Sequence, residues 1–261
     1  MKDGMSIAIP TWEMYGKGVQ FLNYSFNKLK IQTFQNFEVI VTDDSKDDCI
    51  QELCYNNTEH FDIHYYRNTR SPSMPVDSSI NTTPKGSVNT NFAVTKCNRK
   101  IIKFLYQDDF LYNEHSLKLT YDTFIKSNSK WLVTDCMHTE DGINLTRRLT
   151  PRYHDQIHLG VNTISSPSVL SILNNNALKF DERLIVLMDC DYYKRLYMRY
   201  GAPTILREVT AVNRRHDGQI STNCEQGDDY ILDLEKKYIT YKFLSNMLAL
   251  ENKNYHDYDN L

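Results

Sequence analysis

The sequence predicts an α/β domain built on a mostly parallel central sheet flanked by helices, with a small antiparallel portion. Three observations carry that expectation. Short apolar runs are each closed by proline or by acidic residues. Between them lie segments whose apolar residues recur three and four apart, the period of a helix face. At 261 residues and 41% hydrophobic content, the chain is long enough to bury one substantial core.

Taken in order, Ser6-Ile7-Ala8-Ile9-Pro10 reads as a buried strand running into a loop. Val19, Leu22, Phe26 and Leu29 then form one apolar helix stripe. Residues 37–42 predict a second strand ending in Asp43-Asp44-Ser45, residues 47–55 a short helix, and residues 61–66 a third strand followed by Arg67. Alternating strands and helices imply a parallel sheet, which binds ligands at the carboxyl ends of its strands. Residues 68–86 are a polar loop without hydrophobic period, and residues 88–97 a helix. Residues 100–106 predict a fourth strand with Gln107-Asp108-Asp109 at its end. A helix over 114–126 and a strand over 131–136 follow. The second half is less regular: antiparallel strands and loops over 141–163, helices over 166–174 and 189–200, and a strand over 204–213. The 189–200 helix opens with acidic residues, which suit the positive end of its dipole. A C-terminal helix over 228–250 and a polar tail over 251–261 complete the chain.

A net charge of −3 argues against a nucleic-acid partner held by a broad basic field. No apolar run approaches the ~18–20 residues that span a bilayer, and no signal peptide is legible. The expected location is the cytosol, with peripheral contact at a membrane as the variant. The six cysteines are scattered without a CxxC pair and read as buried free thiols.

Asp108-Asp109 is the most informative pair. Adjacent carboxylates repel, and a hard cation such as Mg²⁺ or Mn²⁺ offsets that repulsion while phosphate oxygens and water fill its other positions. In isolation the pair is equally a solvated turn or a helix cap. The wider pattern resembles the family 2 glycosyltransferases. Ser6 to Trp12, then Gln32-Thr33-Phe34-Gln35 through Asp43-Asp44-Ser45, match the opening of that family. Asn89-Thr90-Asn91-Phe92-Ala93 through Asp109 looks like its next block. Phe180-Asp181-Glu182 with Met188-Asp189-Cys190-Asp191 resembles the acceptor block, and Arg214-Arg215-His216 through Ser221 its closing segment.

The resemblance implies a GT-A fold (the nucleotide-diphospho-sugar transferase fold). It divides the chain into a nucleotide-binding half over about 5–110 and an acceptor-side half over about 111–225, in one domain ending near 250. It implies sugar transfer from a nucleotide diphosphate donor, usually a UDP-sugar, to a hydroxyl of a glycan, glycolipid or other acceptor, with inversion and with Mn²⁺ or Mg²⁺. Pro10, Thr11, Asp43 and Asp44 match positions lining the nucleotide pocket, and Arg67 a contact to the base. Asp108 and Asp109 match the DxD motif, the first toward ribose and the second toward the metal; Gln107 stands where many members have aspartate. Asp189 matches the catalytic base, with Asp191 a competitor and each also readable as a helix-capping acid. His216 reads as a diphosphate or metal contact, with a structural histidine as the alternative, and Arg214 or Arg215 could offset phosphate charge. Trp12, Tyr112, Tyr192 and Tyr193 offer sugar-stacking rings or core packing.

Rival readings are a dinucleotide-dependent enzyme, a methyltransferase, a nucleotidyltransferase, and a non-catalytic binding protein with a degenerate site. Gly16-Lys17-Gly18 lies too far past the first strand, with Phe21 in place of a third glycine, to be a dinucleotide fingerprint.

Overall fold

The computed structural model describes residues 1–71, 74–78, 85–217, 219 and 229–258. Ser221 and Cys224, and part of each polar loop, fall outside them. The elements run β1 (Lys2–Thr11), α1 (Gly18–Lys30), β2 (Phe37–Asp43), α2 (Cys49–Tyr55), β3 (Asp62–Arg67), α3 (Lys85–Lys96), β4 (Arg99–Phe104), β5 (Phe110–Leu111) and α4 (Ser116–Lys126). They continue with β6 (Trp131–Thr139), β7 (Leu145–Leu149), β8 (Leu170–Leu173), α5 (Met188–Tyr200), β9 (Thr204–Arg214) and α6 (Asp229–Tyr258).

The strands form one sheet in the order β3-β2-β1-β4-β8-β6-β9-β5, with β7 added against β6. The pairs β1–β2, β1–β4, β2–β3 and β6–β9 are parallel. β8 runs antiparallel between β4 and β6, and β5 and β7 are also antiparallel to their partners. β1 and β2 are covered on both faces, so they read as continuous apolar runs rather than alternating ones. Their side chains still alternate between two cores. Ile7, Ile9, Val39 and Val41 pack with Leu22, Phe26 and Leu29 of α1; Ala8, Ile40, Ile102 and Phe104 pack with Ala93 of α3, Tyr192 and Leu196 of α5, and Ile239 of α6.

Two expectations fail. The helix expected over 166–174 is a single 3-10 turn, Pro167–Val169, followed by β8. A strand can fill the slot between β4 and β6 because Ile172 faces both Ile102 and Trp131 across the ladders, so tertiary pairing decides the outcome. The tail expected from 251 instead continues α6 to Tyr258. Cys54, Cys136 and Cys190 are free and buried, as expected, whereas Cys49 is free but exposed and Cys97 free but half-buried. Among the described residues no helix is long and apolar enough to cross a membrane.

The parallel strands end along one edge, where Thr11, Asp43, Arg67, the 106–109 turn, Thr139 and Arg214 meet. That edge carries the candidate site.

Candidate active site

At the ends of β1–β3, Asp43 is a fully buried post. One oxygen accepts from Thr11 Oγ1 at 3.3 Å, Ser45 N at 2.9 Å and Ser45 Oγ at 2.5 Å; the other accepts from Tyr65 OH at 2.8 Å and lies 3.4 Å from Arg67 Nη1. Arg67 also donates to Ser45 O at 2.5 Å and to Asp48 at 2.6 Å, so its guanidinium clamps the β2–α2 loop. Asn89 of α3 donates to Thr11 O and Thr42 O, fastening β1 and β2 at the same point. Asp44 is different. It is half-buried, its carboxylate accepts from Asn68 Nδ2 at 2.8 Å, and burial pushes it up to about 6. Pro10 is buried in the last turn of β1.

Gln107 explains its own departure from an aspartate. Its side chain is 2% exposed and forms a two-way latch with Trp12: Oε1 accepts from Trp12 N and Nε2 donates to Trp12 O, both at 2.9 Å. A carboxylate can only accept, so it cannot complete this latch. The latch also explains Gly18, because a Cβ there would lie 2.4 Å from Trp12 O and 2.7 Å from Gln107 Nε2. Gly18 thus serves close packing, whereas Gly16 has open space around it and takes a positive φ of 86°. Trp12 stays half-buried at the rim, edge-on to the exposed Tyr15 ring at 5.0 Å.

The two carboxylates after Gln107 have unlike surroundings. β5 pairs with β9 directly after Asp109 and turns that side chain inward. Asp109 is buried and accepts from Arg214 N at 2.9 Å, Ser166 Oγ at 2.9 Å and Asn213 Nδ2 at 3.0 Å; burial, and then the charge of Asp108, push it up to about 7. Asp108 is partly exposed at the carboxyl edge of the sheet. Its Oδ2 lies 3.2 Å from His216 Nε2 and accepts from Gln219 Nε2 at 3.0 Å, with the Asp108 and His216 side chains 16% and 9% exposed. Arg214 is buried with its guanidinium in a cage of Phe21, Tyr24 and Phe110, 4.7–5.5 Å from the ring centres, and its Nε donates to Asp108 O. Its charge therefore braces the 108–109 turn from behind. Arg215 is exposed and donates its N–H to Thr139 O.

Asp189 and Asp191 also separate. Two residues on a helix are about 200° apart, so they face opposite ways. Asp191 is fully buried and ion-paired at 2.7 Å to both Arg195 and Lys242. Asp189 is half-buried; its oxygens accept from Cys190 N at 2.7 Å and Asn162 Nδ2 at 2.9 Å, and burial pushes it up to about 6. Burial pushes the Tyr106 phenol up, and the charges of Asp189 and Asp108 add to that shift. A single segment links Asp189 to the 108–109 turn: Asn162 holds Asp189, while Ser166 holds Asp109. Tyr192 and Tyr193 are fully buried with their hydroxyls on Leu178 O and Ser165 O, so they are core residues and not sugar platforms.

Among the described residues one further group has metal-ligand spacing, Glu38, Asp62 and His64, at the opposite strand ends. Glu38 there already accepts from Ser6 and Asn98 N. The sequence reading missed Asn162, Ser166, Asn213 and Gln219, because isolated amides and hydroxyls have no diagnostic spacing.

No known family profile matches this chain, and no curated protein matches it in sequence. Its fold is similar to solved structures. Staphylococcus aureus TarS residues 1–349 in complex with UDP-GlcNAc superimposes with a TM-score of 0.63 at 17% identity, over 84% of this chain and 60% of that one. The mannosyltransferase PcManGT of Pyrobaculum calidifontis, in complex with GDP-Man and Mn²⁺, gives 0.54 at 12% identity, over 82% of this chain and 57% of that one. The chain thus spans about 60% of the TarS 1–349 chain and 37% of the longer TarS chain, and it has the GT-A glycosyltransferase fold.

Proposed function

We propose that this chain is an inverting glycosyltransferase that moves a sugar from a UDP-sugar to a hydroxyl acceptor in glycan or polysaccharide synthesis. The observation that carries the reading is the Asp108–His216 couple at the carboxyl edge of a GT-A sheet, with one segment, 162–166, holding both Asp189 and the Asp109 beneath that couple. Thr11, Trp12 and Asp44 form the nucleotide side. Asp43 and Arg67 act behind them, holding the β2–α2 loop, because their polar atoms are taken by one another, Tyr65, Ser45 and Asp48.

A carboxylate oxygen and an imidazole nitrogen 3.2 Å apart, both at the cleft surface, fit a Mn²⁺ or Mg²⁺ ion that takes its other ligands from diphosphate and water. Of the two carboxylates that the sequence offers as metal ligands, Asp108 with His216 is the pair favoured here, and Asp109 becomes the post beneath them. Such an ion supplies charge neutralisation to a departing diphosphate. Asp189 does the proton work: it takes the acceptor hydroxyl's proton as that oxygen attacks the anomeric carbon and the bond to the diphosphate breaks. A carboxyl near 6 is ionised at neutral pH and is a stronger base than an ordinary aspartate.

The rival of a degenerate, non-catalytic site draws on Gln107, but the Trp12 latch gives that residue a role of its own. Calorimetry with UDP, GDP and dTDP, each with Mn²⁺ or Mg²⁺, tests the reading. Metal-dependent binding of UDP is expected; no binding of any nucleotide with either metal rejects it.

A further inference from the structure

Asp189 is the second residue of α5, and its position depends on the turn that leads into the helix. That turn presents three successive backbone N–H groups, from Ile185, Val186 and Leu187, and one carboxylate from α6 takes all three. Glu235 Oε1 accepts from Ile185 N at 2.6 Å, Oε2 accepts from Leu187 N at 2.8 Å, and Val186 N reaches both oxygens at 3.3 and 3.0 Å. Glu235 is 0% exposed.

Three N–H donors and the positive end of α5 offset part of the cost of burying that carboxylate, and burial still pushes it up to about 7. Docking α6 alone would not call for it. Ile239 and Phe243, on the same face, dock the helix by apolar packing. Tyr238 and Lys242 add bonds to Asp181 at 2.7 and 2.8 Å, and Lys242 reaches Asp191 at 2.7 Å. A carboxylate in that apolar row is suited to holding a turn of backbone in one conformation.

The geometry points to Glu235 as the positioning residue for the base: from the C-terminal helix it fixes the 185–187 turn that delivers Asp189 to the acceptor side of the cleft. This inference rests on the reading of Asp189 as the base. Glu235 touches no substrate and acts only through the 185–187 turn.

The test uses the full chain with Glu235→Gln, which keeps the size and sets an NH₂ donor against the N–H groups, and with Ile239→Ala, which loosens the same helix without touching the turn. Steady-state kinetics with a UDP-sugar, UDP affinity in Mn²⁺ and melting temperature are measured for each. Glu235→Gln is expected to lower kcat about 10- to 100-fold with UDP affinity unchanged, as misplacement of a reacting group does. Ile239→Ala is expected to lower the melting temperature and leave kcat per nucleotide-binding molecule intact. If Glu235→Gln does not fold, Glu235→Asp, which reaches fewer of the donors, is expected to show a smaller drop of the same kind. Full kcat in the Glu235 variant, or an equal loss in Ile239→Ala, overturns the inference alone. Wild-type turnover that survives Asp189→Asn overturns the reading beneath it.

Discussion

Replacing Gln107 by glutamate changes one NH₂ into an oxygen and nothing else in shape, so it isolates the latch that joins β1 to β4. In the native chain, Nε2 donates to Trp12 O at 2.9 Å inside a site that is 2% exposed. With an ionised glutamate, two acceptors face each other there, and Trp12 O loses its donor. An unsatisfied buried acceptor costs about 1–3 kcal/mol, and the repulsion places Gln107→Glu toward the upper end. For a chain of this size that lowers the melting temperature by about 5–10 °C. The loss must also depend on pH. A protonated glutamic acid can donate to Trp12 O and restore the latch, so the folded-state pKa is raised above its unfolded value. Stability is therefore retained in acid and lost as pH rises through that pKa. Thermal melts of Gln107→Glu and wild type between pH 5 and 8 measure it: the gap should widen toward pH 8. A gap of zero at pH 8, or one that does not change with pH, refutes the latch as drawn.

Four further outcomes are expected. Gly18→Ala presses a methyl group within 2.4 Å of Trp12 O and should destabilise by about 1–3 kcal/mol; because it breaks the same latch, its effect should not add to that of Gln107→Glu. Asp191→Asn leaves Arg195 and Lys242 without their shared anion and should cost about 3–5 kcal/mol, visible in chemical denaturation, while the folded fraction still binds UDP. The activity of wild type should rise with pH through about 6 as Asp189 ionises. Since that carboxyl is raised from 3.8, its charged form burdens the fold above pH 6, and Asp189→Asn should gain at most about 3 kcal/mol at pH 8, shrinking toward pH 4. Equal melting temperatures for Asp189→Asn and wild type at pH 8 would contradict the burial of Asp189.

Much of the first half of the chain is legible in the sequence, because β1, β2 and β4 are buried on both faces and so appear as unbroken apolar runs with their polar residues collected at the ends. Asp43-Asp44 and Asp108-Asp109 stand out for that reason. Their division of labour does not. Neighbouring residues in a turn differ in direction, and direction came from the β5–β9 pairing, which two residues of strand cannot announce. Likewise the period of α5 shows that Asp189 and Asp191 face apart, but which one meets Lys242 depends on how α6 packs. β8 was missed because its few apolar residues gain their ladder only between two distant strands. Glu235 lay hidden for a related reason: helical period places it on a face, and only the fold brings the 185–187 turn against that face.

The central claim is that this edge of the sheet transfers a sugar in a single displacement with Asp189 as base. Proton NMR of the sugar product released from a UDP-α-sugar in the presence of Mn²⁺ tests it most directly, read before the free anomers equilibrate. The account predicts that the β-anomer appears first in wild type, and that Asp189→Asn yields no product while still binding UDP. An α-anomer as the first product, or full turnover by Asp189→Asn, contradicts it.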